Sequence, residues 1–178
     1  MVELFFVYNE FEESKNLWNL FLSEQSEKNW QNYVNSLEKS FTNFKDLSKG
    51  TKLENLFKAY QNEKRIDPLL IFIRESRNTI HHSAKSLIVY EQGDLADSLP
   101  FEMSMTFEDG KTIDLSNRPM YYLNPILSTL IDKNGKPVLP PAYHQGIALK
   151  NPKSLLEVGQ KALEYYTKMY EDVKVKNK

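Results

Sequence analysis

Between Ser26 and Leu47 the large apolar residues Trp30, Tyr33, Val34, Leu37, Phe41, Phe44 and Leu47 recur at steps of three and four. An α-helix gathers such residues onto one face, and a helix with one apolar face must bury it against another element. This stretch alone directs the chain towards a packed helical core. Phe11, Leu17, Leu20 and Phe21 outline a shorter helix before it, and Lys49-Gly50 closes it. Thr51-Lys52-Leu53-Glu54 has the form of a capping box ahead of Leu53, Leu56, Phe57 and Tyr60, which predicts a short third helix. Asp67-Pro68 then offers an N-cap and a first-turn proline for a fourth helix, whose core stripe is Leu69, Ile73, Ile80, Ala84 and Leu87. After Asn151-Pro152 the helical period returns in Leu155, Val158, Gly159, Ala162, Tyr166, Met169 and Val173, followed by a Lys-rich end over 173–178 that is expected to fray.

The intervening segment has a different texture. Asp109-Gly110 separates the apolar stretches 101–107 and 112–115, and Asn134-Gly135 follows 126–131, so two β-hairpins are expected. Five of the eight prolines (Pro119, Pro125, Pro137, Pro140 and Pro141) fall in this segment, which keeps its strands short or at an edge. The expected fold is mainly α: a bundle of about five helices with an inserted β-hairpin segment before the C-terminal helix. A length of 178 residues suits one domain over 1–178, with helical parts 10–86 and 151–173 and a β insertion at 87–150.

Composition narrows the chemistry. The absence of cysteine removes disulfides, Cys-type zinc sites, iron–sulfur clusters and thiol nucleophiles. The longest apolar runs, Leu69–Ile73 and Leu87–Tyr90, are far too short for a bilayer, and the first thirteen residues are acidic where a secretory signal is basic, so a cytoplasmic protein without a membrane partner is expected. A net charge of −1 argues against a broad nucleic-acid-binding face and leaves room only for a confined basic site. Arginine and histidine are scarce: Arg65, Arg74, Arg77 and Arg118 are the only arginines, and His81, His82 and His144 the only histidines. Half the arginines and two of the three histidines lie between residues 74 and 82. At about 100° per residue, Arg74, Arg77, Asn78, His81, His82 and Lys85 spread over an arc of roughly 140° on the fourth helix, bordering its core stripe, with Glu75, Thr79 and Ser83 pointing elsewhere. Histidine exchanges protons near neutral pH and arginine presents a planar fork of donors to phosphate oxygens, a pairing suited to phosphodiester chemistry.

The run Arg77-Asn78-Thr79-Ile80-His81-His82 resembles the signature of the HEPN superfamily, in which an arginine followed by a polar residue precedes a histidine by four to six intervening residues on a helix of a small bundle. Arg77, Asn78 and His82 match the form with four between; Arg74 and His81, with six, give a second pairing. The resemblance covers roughly residues 10–86 and 151–173, and the β segment departs from the minimal family pattern. It implies a homodimer that joins two motifs in a cleft and cleaves RNA without a metal or other cofactor, in a defence or toxin setting. His82 would serve as general base or acid, Arg77 would stabilise the transition-state charge, and Asn78 would orient the imidazole or hold a phosphate oxygen, with Arg74 and His81 auxiliary. The rival reading is a non-catalytic HEPN-like scaffold that binds a nucleotide, RNA or a protein partner, the last through the β insertion. Each motif residue also has a plain structural alternative, with Arg77 paired to a buried carboxylate and the histidines hydrogen-bonded at a packing boundary. A metal site on His81-His82 is not expected, since helix neighbours diverge by about 100° and no carboxylate has metalloprotease spacing. His144 is expected in a loop, the aromatic stripe of Trp30, Tyr33, Phe41 and Phe44 in the core or a dimer interface, and the basic tail in solvent.

Overall fold

The computed structural model describes residues 2–82, 85–95, 104–106, 108, 110–114 and 121–177. Its elements run α1 (Val2–Ser23), α2 (Glu27–Ser48), α3 (Glu54–Ile66), α4 (Pro68–His82), β1 (Ile88–Leu95), β2 (Ser104–Thr106), β3 (Thr112–Asp114), β4 (Tyr121–Leu127), β5 (Leu130–Ile131), β6 (Pro137–Val138), β7 (Tyr143–His144), β8 (Ile147–Ala148) and α5 (Leu155–Asn177). The fold is mainly helical, with β-hairpins ahead of the C-terminal helix. Two compact units make up the chain, residues 1–89 with 126–178 and residues 90–125. Residues 126–150, expected as part of the β insertion, thus belong to the helical unit.

The long helix forms as its period dictates. Ser26 caps α2 by accepting the Asn29 N–H at 3.3 Å, and Trp30, Tyr33, Val34, Leu37 and Phe44 are fully buried. α1 is as long as α2, not shorter. Its buried positions Val7, Phe11, Ser14, Trp18 and Phe21 keep steps of four and three, but Ser14 breaks the apolar pattern. The Ser14 hydroxyl is satisfied by the Glu10 carbonyl at 2.8 Å and Ser36 Oγ at 3.0 Å, so a polar residue sits inside the seam, while Leu20 is exposed.

The expected capping box does not form. The Thr51 hydroxyl lies 3.0 Å from the Ser48 carbonyl and 3.3 Å from that of Leu47, closing α2, and α3 begins at Glu54 without a side-chain cap. The Asp67 cap does form, with Oδ1 accepting from the N–H groups of Leu69 (3.0 Å) and Leu70 (3.1 Å). Every residue of the α5 stripe is buried, and the helix continues to Asn177 where fraying was expected. An added Cβ at Gly159 would collide with the Trp18 ring and come within 3.0 Å of the Trp30 ring, so this glycine lets α5 approach two indoles.

The strands pair as β1–β4, β2–β3, β5–β6 and β7–β8. The β2–β3 hairpin of the smaller unit matches Met105 with Ile113, as the Asp-Gly turn predicts; Asp109, residues 101–103, 107 and 115, and also Ala84, Ser83 and Pro119, lie outside the described residues. In the helical unit Asp132 organises the Asn-Gly turn by accepting from Asn134 N and Lys136 N, each at 2.8 Å, and Gly135 adopts φ 78°. The apolar stretch 126–131 is not one strand. It breaks at Ser128, whose N–H donates to the Leu87 carbonyl at 3.0 Å. The unforeseen β7–β8 hairpin turns on Gln145 (φ 49°) and Gly146 (φ 77°). β5 and β7 both pack on α4, so the candidate helix is covered by the bundle and by hairpins.

Candidate functional site

The position of α4 is set at its N-cap, Asp67. Besides capping, Asp67 accepts the Gln145 N–H at 2.6 Å through Oδ2 and lies 3.1 Å from His144 Nδ1 through Oδ1. Burial pushes the Asp67 carboxyl up, but hydrogen bonds from His144, Gln145 and Leu70 outweigh it and hold the group below its usual value. An ionised Asp67 makes Nδ1 the donor of the His144 ring. His144 is therefore not a free loop histidine: it is buried, edge-on to Tyr165 at 5.8 Å, and straps β7 to the start of α4. It lines a cavity of about 440 Å³ with Lys161, Tyr165 and Lys168, separate from the one His82 lines.

The buried face of α4 carries Leu69, Leu70, Phe72 and Ile73, then Glu75, Ser76 and Thr79. Glu75 and Thr79, expected to point elsewhere, are turned inward, because the hairpins widen the covered arc beyond what apolar residues mark. Glu75 is 8% exposed. Its carboxylate accepts from Arg74 Nε at 2.9 Å and from Asn78 Nδ2 at 3.0 Å. Arg74 and Asn78 are half-buried, and Arg77, His81 and His82 are exposed. The His81 and His82 rings meet at 6.5 Å and 60°. No hydrogen bond or ion pair among the described residues engages Arg77 or His82.

A cleft of about 300 Å³ opens beside the C-terminal half of α4. Glu75, Asn78, Thr79 and His82 form one wall, Thr129 to Lys133 the other, with Lys85 and Ser86 between. Of the sequence-predicted residues, Asn78 and His82 are brought into it. Arg74, Arg77 and His81 do not line it, and Arg77 and His82 diverge by roughly 140° about their own helix. Ser86 and Leu87 hold the strand leaving α4, with Leu87 N donating to Glu27 Oε1 at 2.7 Å and Ser86 Oγ to Glu27 Oε2 at 2.5 Å.

A buried cation, Lys64, lies on the neighbouring helix α3. It donates to Glu38 Oε1 at 2.6 Å and lies 4.0 Å over the Phe41 ring. Burial lowers its pKa, Glu38 opposes this, and Arg74 and Arg77 lower it further. Both arginines are thus close enough to be felt by Lys64. Glu75 and the hairpin residues were missed by sequence reasoning; the one available signal was a carboxylate next to Arg74 and one turn before Asn78. Among the described residues, no three His, Asp or Glu side chains converge as metal ligands do, and no helix is long and apolar enough to cross a membrane.

Compared with known proteins, the chain matches no family model, no curated protein and no solved structure at a significant level.

Proposed function

We propose that the chain is a cytoplasmic, HEPN-like endoribonuclease that cleaves RNA without a metal, at a composite site joined across a homodimer. The supporting observation is the condition of Arg77 and His82: both are exposed and, among the described residues, spent on no structural bond, whereas Arg74 and Asn78 are held by Glu75. In the reaction, His82 of one protomer takes the proton of a ribose 2′-OH. The 2′-oxygen bonds to the adjacent phosphorus, the bond to the 5′-oxygen breaks, and that oxygen receives a proton from the second His82, leaving a 2′,3′-cyclic phosphate. Arg77 stabilises the extra charge on the transferring phosphoryl group. The divergence of Arg77 from His82 makes a second copy of the motif part of this reading. A defence or toxin role is the setting such chemistry fits.

Cleavage of RNA in EDTA should fall by about two orders of magnitude or more in His82→Ala and in Arg77→Ala. Equal residual cleavage by the wild type and both variants would remove the nuclease reading, and a concentration-independent monomer in solution would remove the composite site. The scaffold reading draws on Glu75, which binds two motif side chains as a structural cluster does; it predicts saturable RNA or nucleotide binding without turnover.

A further inference from the structure

We infer that the cleft beside His82 is a guanine-reading subsite, with Glu75 and Asn78 as its specificity residues. The cleft's wall carries Asn78 and Glu75, a side chain with N–H donors beside one with acceptor oxygens. Asn78 Nδ2 uses one N–H on Glu75 Oε2 and keeps a second. A carboxylate has about four acceptor positions, so after Asn78 and Arg74 each take one, both Glu75 oxygens retain acceptor capacity. The pair can therefore offer one donor beside acceptor oxygens. Guanine offers its complement along one edge: the O6 acceptor, the N1–H donor and the N2–H donor. Adenine matches only two of these groups. Uracil and cytosine each place an acceptor against a carboxylate oxygen, an unpaired contact in a confined site.

The surroundings agree with a nucleoside. A cleft of about 300 Å³ lies at the small end of ligand sites, room for one base and its ribose. The opposite wall includes Ile131, 41% exposed, a surface for the flat face of a base. Lys133 stands on the same wall, available to a phosphate. Arg74 offsets the charge of Glu75, which lets a carboxylate serve beside an anionic strand. The hairpin that the family resemblance leaves unexplained thereby acquires a role as the far wall of a base pocket. Its placement next to a scissile phosphate rests on the ribonuclease reading, under which cleavage falls on the 3′ side of guanosine; the base chemistry does not rest on it.

The test is binding by the full-length protein to uncleavable 2′-O-methyl trinucleotides with G, A, C or U at the centre, and to free GTP. The G trinucleotide should bind about tenfold or more tightly than the others, and Glu75→Gln, isosteric but with one acceptor turned donor, should bring all four within about twofold. Ile131→Ser, which removes the apolar surface of the opposite wall and leaves Glu75 in place, should weaken binding of the G trinucleotide about fivefold with the melting temperature little changed. The inference is overturned if the four trinucleotides bind alike, if Glu75→Gln keeps the preference, if Ile131→Ser leaves G binding intact, or if GTP binds more tightly than the G trinucleotide, which would mark a free-nucleotide site. Those results can occur with RNA cleavage intact. G-selective binding by a protein that cleaves no RNA would uphold the pocket and remove the nuclease instead.

Discussion

Asp67 gathers four donors at one carboxylate: two N–H groups of the first turn of α4, the Gln145 N–H and the His144 ring. Removing it leaves them short of a partner, those of Leu69, Leu70 and His144 at buried residues, so Asp67→Ala should cost about 2–3 kcal/mol in urea unfolding, the sum of a lost cap and an unsatisfied histidine. The carboxyl titrates below its unfolded value of 3.8, so its charge-dependent contribution is present above about pH 4 and is lost as pH falls through the lowered folded value. Asp67→Asn keeps a capping oxygen; its deficit against the wild type should shrink as acid is added below pH 4, and an undiminished deficit there would contradict the linkage. The sequence shows Asp67 as a cap because cap and proline are neighbours. It hides the link to His144, seventy-seven residues away, since only the β7–β8 turn brings that ring back. Glu75 was hidden for another reason: a charged residue reads as solvent-facing until its partners are known.

At the scale of the element, α5 depends on Gly159. Tyr33 donates to the Gly159 carbonyl at 2.7 Å, and the missing Cβ leaves space for the Trp18 and Trp30 rings. Alanine is the better helix former by about 0.8–1 kcal/mol, yet here it must displace two buried indoles that pack against Tyr33 and Phe21, with overpacking costs of about 1–3 kcal/mol. Because the clash is with ring carbons, Gly159→Ala should lower the melting temperature; a rise would show that the seam has slack. Helices with an unbroken apolar stripe, α2 and α5, were legible at nearly their true bounds. α1 was legible only from Phe11 onward although it begins at Val2, and within it the apolar stripe is broken at Ser14, whose hydroxyl is matched by Ser36 of α2. The hairpins were only partly legible, for strands of two residues carry too little alternation to mark themselves.

Across the whole molecule, the core binds α-helices through aromatic hydroxyls as well as rings. Burial raises the tyrosines Tyr33, Tyr60, Tyr165 and Tyr166, with Asp172 adding to Tyr60 and Glu38 to Tyr166. In the unfolded chain each ionises near pH 10, while in the folded chain each stays neutral, so the folded state binds more protons above pH 10 and stability falls as pH rises. Lys64, lowered by burial, pulls the other way but is one group against four. Tyrosinate absorbance from these residues should therefore appear together with loss of helical circular dichroism above about pH 10. Individual ionisation in an intact bundle would refute this.

By itself the sequence determined a helical bundle with hairpins before the last helix, because helical period, caps and turn residues are local and act within a few positions. It also placed Arg77, Asn78 and His82 on one helix. Tertiary structure decided which of those side chains share a cleft, that Glu75 joins them, and that β5 supplies the facing wall. The facing wall, residues 129–133 against 75–82, comes from a distant part of the chain, and its approach is set by packing and not by any spacing along the chain.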